Sequence, residues 1–284
     1  IESGAYAEEL RNFPSGTSWN APVTIAAYPG DTVVVRPLSG NRVAYFTHCH
    51  HVILEGFVLD GTNVEHNTIK ITSEAHHIRI QNSEVSGGPK SGILVNSVGS
   101  DYNELLNLNI HDNGTDHHDH GIYIETSNNL VDHCSSHHNT GWGVHVYTAY
   151  AGWSANDNIV SNNVIHENNT AGQGGNGILL GSGSGNLAYN NLVWGNLRGI
   201  QIAWDAVDSR AYNNTIYANT STGIAAFSSS TDAIIRNNIV YENGGEAIWD
   251  AGSGTIQGHN LVDVDPQYVN ASAYDFHLRP TSPA

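Results

Sequence analysis

"NGILLGSGSGNLAYNNLVWGN" (176–196), "RGIQIAWDAVDSRAYNNTIYAN" (198–219) and "TGIAAFSSSTDAIIRNNIVYEN" (222–243) are three copies of one frame. Each runs from a glycine through an apolar-x-apolar triplet, a small polar turn and a second alternating run. An Asn-Asn pair and a third run complete it. Upstream, the same opening stands in "SGILVNS", "HGIYIETS" and "WGVHVYT". A repeat at a fixed period decides an architecture before local propensities do. The marker glycines fall at 92, 121, 143, 177, 199 and 223, in steps of 29, 22, 34, 22 and 24 residues. The base period is therefore 22 to 24 residues, and the longer steps hold insertions between strands.

Alternation over four or five residues predicts short strands with one face in and one face out. Three such strands cannot make a stable sheet alone, but stacked coils pair each strand with its copies above and below. The prediction is an all-β parallel solenoid of about nine to ten coils with an N-terminal cap. The expected divisions are a cap and first strands over 1–40, coils over 41–262 and a tail over 263–284, within one structural domain. Asn163, Asn191, Asn214 and Asn238 recur at one turn, where stacked amides tolerate a left-handed backbone and bond to their copies. "AEELRNF" is a candidate capping helix, and the tail either folds back or ends a trimmed chain. Cys49 and Cys134 fall three coils apart, about 14 Å, so two free thiols are expected.

Composition narrows the partners. With 10 Lys and Arg against 27 Asp and Glu, the net charge of -17 opposes nucleic-acid binding, which needs a basic surface. The same charge opposes docking on anionic lipid, and no apolar run is long enough for membrane insertion. The first residues lack the pattern of a signal peptide, and the missing initiator Met points to a processed or trimmed chain. An extracellular, secreted location is the expectation that accompanies the resemblance below, and oligomeric state is left open.

The "GI-x-I … NN-x-I … N" frame, over roughly residues 40 to 262, resembles the right-handed parallel β-helix repeat of pectate-lyase-like proteins. "APVTIAAYPGDTVVV" is similar to the opening segment of chondroitinase B and alginate lyase relatives. "NLVDVDPQYVNASAYDFHLRPTSPA" resembles the tail of bacterial β-helix proteins of unassigned function. The resemblance implies a secreted protein acting on polysaccharide, with its cleft on the outer face of one sheet.

Stacking the "G-I-x-I" strands gives an outward column of Ala44, Lys70, Leu94, Tyr123, His145, Leu179, Gln201, Ala225 and Trp249. A second column two residues on reads Thr72, Asn96, Glu125, Tyr147, Gly181, Ala203 and Phe227. Coils lie about 4.8 Å apart, so Tyr123 and His145 are expected side by side. Long turns, "HDNGTDHHDHG" before the strand and "YTAYAGWSAND" after it, would wall a groove there. Other histidines have scaffold explanations: His111, His137 and His166 share one repeat position, continued by Trp194, Tyr217 and Tyr241.

Three chemistries fit this patch. Elimination or C-5 epimerisation of a uronate needs a base, an acid and a neutralised carboxylate. His145 is the expected base, Tyr123 the acid or partner base, and Lys70 or Arg198 the neutraliser. Glu125, Tyr147, Trp153, Gln201, Trp204 and Asn96 are expected to bind the sugar chain. The acidic net charge requires a locally basic groove or a bound Ca²⁺. Glycoside hydrolysis would instead use two of Asp119, Glu125, Asp205 and Asp208, with Trp142, Trp153 and Trp204 as stacking platforms. A metal site would gather His117, His118 and His120 around Zn²⁺. A non-catalytic carbohydrate-binding or cell-surface solenoid is the remaining alternative.

Overall fold

The computed structural model describes residues 1–169, 172 and 174–284. The chain winds as a right-handed parallel β-solenoid of about ten turns. Two sheets have ten strands and one has eleven. The first sheet carries the "G-I-x-I" strands, among them Ile69–Thr72, Ile93–Val95, Ile122–Ile124, Val144–Val146, Ile178–Leu180 and Ile200–Ile202. The second holds strands such as Ile159–Ser161 and Leu187–Tyr189, and the third holds Val164–His166 and Leu192–Trp194. Neighbouring strands pair in parallel without a register shift across the whole stack. Inward residues such as Ile122, Ile124, Val144, Val146, Ile178 and Ile200 are fully buried and form one continuous core.

The marker glycines have a packing cause. A Cβ built on Gly177 would stand 2.8 Å from the Gly199 carbonyl oxygen, and one on Gly143 equally close to that of Gly177. Each glycine thus sits against the backbone of the next coil, where no side chain fits. Gly199→Ala should destabilise the fold by about 1–3 kcal/mol, read as a lowered denaturant midpoint. An unchanged midpoint would mean that the coils part there at no cost.

Asparagine ladders close the turns. Asn163, Asn191, Asn214 and Asn238 stack as expected, and the ladder runs on to Asn260. Cys134 occupies the same position one coil earlier, its N–H donating to Asn163 Oδ1. Two more ladders hold the other turns: Asn103, Asn129, Asn158 and Asn186, and Asn113, Asn139, Asn168, Asn196, Asn219 and Asn243. Cys49 and Cys134 are free and buried, and burial pushes their thiols up to about 11 and about 12.

Two expectations need correction. "AEELRNF" forms no helix: Leu10–Arg11 is a strand of the first sheet, pairing with Ala44 and Tyr45. Ala44 is not an outward residue. It pairs with Ile69 and is fully buried, while Tyr45 pairs with Lys70 and points out. Val43 replaces the glycine that marks later coils, so the first coils offered no register mark.

The tail folds back. Strands Tyr268–Asn270 and Asp275–Leu278 form an antiparallel hairpin against the flank of the solenoid. Phe276 packs on Trp194 and Tyr217, each at 5.3 Å between ring centroids. These rings continue the expected column in which His111, His137, His166 and Trp194 stack face to face. The hairpin covers the aromatic end of that column, and Trp194 is buried.

Candidate functional site

The outer face of the first sheet is three columns wide. The middle column reads Tyr45, Lys70, Leu94, Tyr123, His145, Leu179, Gln201, Ala225 and Trp249. The trailing column holds Asn96, Glu125, Tyr147, Gly181, Ala203 and Phe227, as the stacked backbone bonds require. A leading column, one residue before the marker glycine, holds His120, Trp142, Asn176 and Arg198. The face divides in two: Lys70, Leu94 and Tyr123 are half-buried, whereas His145, Leu179, Gln201 and Ala225 are buried.

His145 and Tyr123 stack as expected, with centroids 4.5 Å apart and planes 9° from parallel. His145 is nevertheless enclosed. His120, Trp142, Tyr147 and Trp204 surround it at 4.4, 4.7, 5.8 and 5.8 Å. Trp204 reaches back over Gly181 to meet Tyr147 at 4.8 Å, and a Cβ on Gly181 would press both rings. The side chain is 5% exposed, and burial first, then the charge of His118, pushes its pKa down to about 3.

Its proton can be placed by following the donors. The Trp142 backbone N–H donates to His120 Nδ1 at 3.3 Å, so the neutral His120 carries its proton on Nε2. His120 Nε2 lies 2.7 Å from His145 Nδ1, which therefore accepts. The His145 proton is left on Nε2, an atom that is buried and unpartnered. His145, the expected base, thus presents an N–H inside an aromatic box. Both ring nitrogens of His120, an expected metal ligand, are engaged by these bonds. Of two other expected residues, Gln201 accepts from Asn176 Nδ2 at 2.7 Å, and Arg198 lies two coils beyond His145 with its guanidinium over Phe227.

The open half gathers a different set. Lys70, Arg42 and Glu125 interact electrostatically, and Arg42 lies 5.0 Å from the Tyr45 ring centroid. Burial, and then Arg42, holds the Lys70 amine below its usual 10.5. Burial raises Glu125 above its usual 4.5, although Tyr123, Asn96 and Lys70 oppose the shift. Burial and the neighbouring Glu125 raise Tyr123 well above its usual 10.0, so its hydroxyl keeps its proton. Arg42 escaped sequence reasoning because no glycine marks its coil. Its position before the strand, shared with His120 and Trp142, was the available signal.

The loop walls are present. Tyr150 and Trp153 pack at 4.6 Å, and Trp153 and Glu125 line a small recess beside Val98 and Asp101. A larger pocket of about 550 Å³ is lined by Tyr147, Tyr150, Trp204 and Asp205. The acids expected for hydrolysis disperse. Asp119 is buried, accepting from the Thr115 and Asp116 backbones and facing Lys90 at 3.5 Å. Asp208 pairs with Arg210 at 2.6 Å. Glu125 and Asp205 lie three coils apart, about 14 Å, wider than the separation of a glycosidase pair. Of the expected metal ligands, His117 and His118 converge on Asp116 Oδ1 at 3.1 and 2.9 Å, on the exposed side of the loop.

The right handed beta helix region family matches the chain over residues 38–172 and 91–262. Among solved structures, pectate lyase Pel9A superposes with a TM-score of 0.66 at 15% identity, covering 99% of this chain and 80% of its own. The A-module of the Azotobacter vinelandii mannuronan C-5 epimerase AlgE4 gives 0.57 at 14%, covering 93% and 90%. The periplasmic alginate epimerase AlgG gives 0.52 at 17%, covering 84% of this chain, which spans 55% of the length of AlgG. At such identities the likeness is one of fold. No curated protein matches the sequence. Among the described residues no helix is long and apolar enough to cross a membrane. Matched from 38 to 262, with unbroken parallel pairing through the stack, the chain belongs to the right handed beta helix region family.

Proposed function

We propose that this protein is an extracellular lyase that cleaves a uronic-acid-containing polysaccharide by β-elimination on the open half of the first sheet. One observation carries the reading. Lys70 and Glu125, two coils apart on the open half, lie within electrostatic reach of each other, and burial lowers the one and raises the other. Burial that shifts an amine down and a carboxyl up beside one another is an environment in which proton-transferring groups are found. The neutral Lys70 amine takes the proton from the carbon alpha to the sugar carboxylate, and Arg42 neutralises that carboxylate. The bond to the glycosidic oxygen breaks as the double bond forms, and the Tyr123 hydroxyl protonates the departing oxygen. Pel9A, AlgE4 and AlgG, a pectate lyase and two uronate epimerases by name, make this class of reaction compatible with the scaffold.

Arg42 also supplies the locally basic ground that an acidic chain needs to receive a polyanion. Incubation with polygalacturonate, alginate and a neutral glycan tests the reading. Ultraviolet absorbance from an unsaturated uronate is expected with a polyuronate. New reducing ends without that absorbance, or no change in any polyuronate, would sink it.

A further inference from the structure

Among the described residues, nine buried side-chain polar atoms have no hydrogen-bond partner. Five of them stand on the outer face of the first sheet: Arg42 Nε, Asn96 Oδ1, Trp142 Nε1, His145 Nε2 and Asn176 Oδ1. Buried polar atoms are almost always paired, so such a concentration calls for a cause. Arg42 and Asn96 belong to the reacting half already described. The other three form a group of their own, because Trp142, His145 and Asn176 occupy adjacent positions on two successive coils. Two are donors, the indole N–H and the His145 Nε2–H placed by the His120 relay, and one is an acceptor.

One ring lies over two members of this group. Trp204 lies against His145, Trp142 and Tyr147, yet it is 39% exposed. Its backbone is left-handed, with φ of 54°, as is that of Asp205 at 65°. Its N–H is held by Ser229 Oγ at 2.9 Å, so the main chain is anchored and a movement of the ring goes through its side-chain torsions. The pocket beside Tyr147 and Ser182 gives the ring a place to go.

We propose that Trp142, His145 and Asn176 form a sugar subsite gated by Trp204. With the indole swung aside, His145 Nε2–H and Trp142 Nε1–H donate to the carboxylate of one uronate residue, and Asn176 Oδ1 accepts from one of its hydroxyls. The proposal rests on the polyuronate reading above. The subsite lies three coils from Lys70, about 14 Å, so it holds a different residue of the same glycan from the one that reacts. A carboxylate suits two convergent donors, whose hydrogen bonds strengthen when the acceptor is ionised. Neutral imidazole and indole provide them without a second buried charge.

The test follows the indole N–H signals of the six tryptophans by ¹H–¹⁵N NMR. Hexamers of galacturonate and mannuronate are titrated into a Lys70→Ala background that does not cleave them, with Trp142 assigned through Trp142→Phe. The Trp142 signal should move on binding. Trp204→Ala should speed association about tenfold by removing the gate, and His145→Phe should weaken binding about tenfold by removing a donor. Because Trp204→Ala trims an exposed ring, it keeps the test valid if His145→Phe fails to fold. A hexamer that binds with the Trp142 signal unmoved and with Trp204→Ala within twofold would overturn the subsite while leaving the polyuronate reading intact. Failure of both hexamers to bind would remove both.

Discussion

Replacing Lys70 with Ala should lower the elimination rate by about 10³-fold, within the range that a positioned base supplies, with a small change in KM. Lys70→Arg distinguishes a base from a mere charge. Arginine keeps the cation beside Glu125 but cannot release its proton, so it should be as inactive as alanine. Substantial activity in Lys70→Arg would show that the residue only neutralises the substrate carboxylate. The pH profile gives the same answer independently. A lysine base works unprotonated, so kcat/KM should rise with pH and level off above the Lys70 pKa, which burial and Arg42 place below 10.5. Tyr123 should add no falling limb near that pH, because burial and Glu125 hold its pKa above 10.0. Arg42→Gln removes one of the causes that depress Lys70, so the rising limb should move to higher pH while KM increases. A limb that stayed in place would separate it from Lys70.

The solenoid was legible because its own geometry writes the repeat. Glycines 143, 177 and 199 recur where the next coil's backbone leaves no room, and Asn163, Asn191 and Asn214 recur where amides bond from coil to coil. Adjacency within a column followed from that register, which is why Tyr123 was correctly placed beside His145. Burial of the column did not follow. Trp204 covers His145 from two coils further along the chain, and a repeat alignment carries no signal for a side chain that reaches backward across coils. His145 therefore read as exposed, and the relay through His120 that fixes its proton was invisible. The first coils are less legible for a simpler reason: Val43 stands where later coils have glycine, so nothing in the sequence marks Tyr45 rather than Ala44 as the outward residue or Arg42 as its neighbour. Function draws on these same departures, since a perfect repeat would offer every coil the same face.

Asn191→Ala should cost about 4 kcal/mol, a large share of the stability of an ordinary domain. The Asn191 side chain is an interior rung of its ladder. Its Oδ1 accepts from the Asn163 backbone N–H at 3.0 Å and from Asn163 Nδ2 at 2.9 Å. Its Nδ2 donates to the Val160 carbonyl at 2.8 Å and to Asn214 Oδ1 at 3.0 Å. Alanine leaves the Asn163 backbone N–H without an acceptor in a dry interior, at about 1–3 kcal/mol, and takes one hydrogen bond each, at about 1 kcal/mol, from Asn163 Nδ2, the Val160 carbonyl and Asn214 Oδ1. The neighbouring Asn190 is the control. It is exposed and left-handed at φ 55°, and its amide reaches only Asn162 Oδ1 at 3.3 Å. Asn190→Ala should cost about 1 kcal/mol, mostly from the left-handed backbone. Because each coil contacts only its neighbours, a broken rung weakens the joint between the two ends of the stack. Denaturant unfolding of Asn191→Ala should thus show a lower midpoint together with a smaller slope, as the ends begin to unfold separately. Equal costs for Asn190→Ala and Asn191→Ala would mean that backbone pairing alone holds the coils and that the ladder follows the fold without stabilising it.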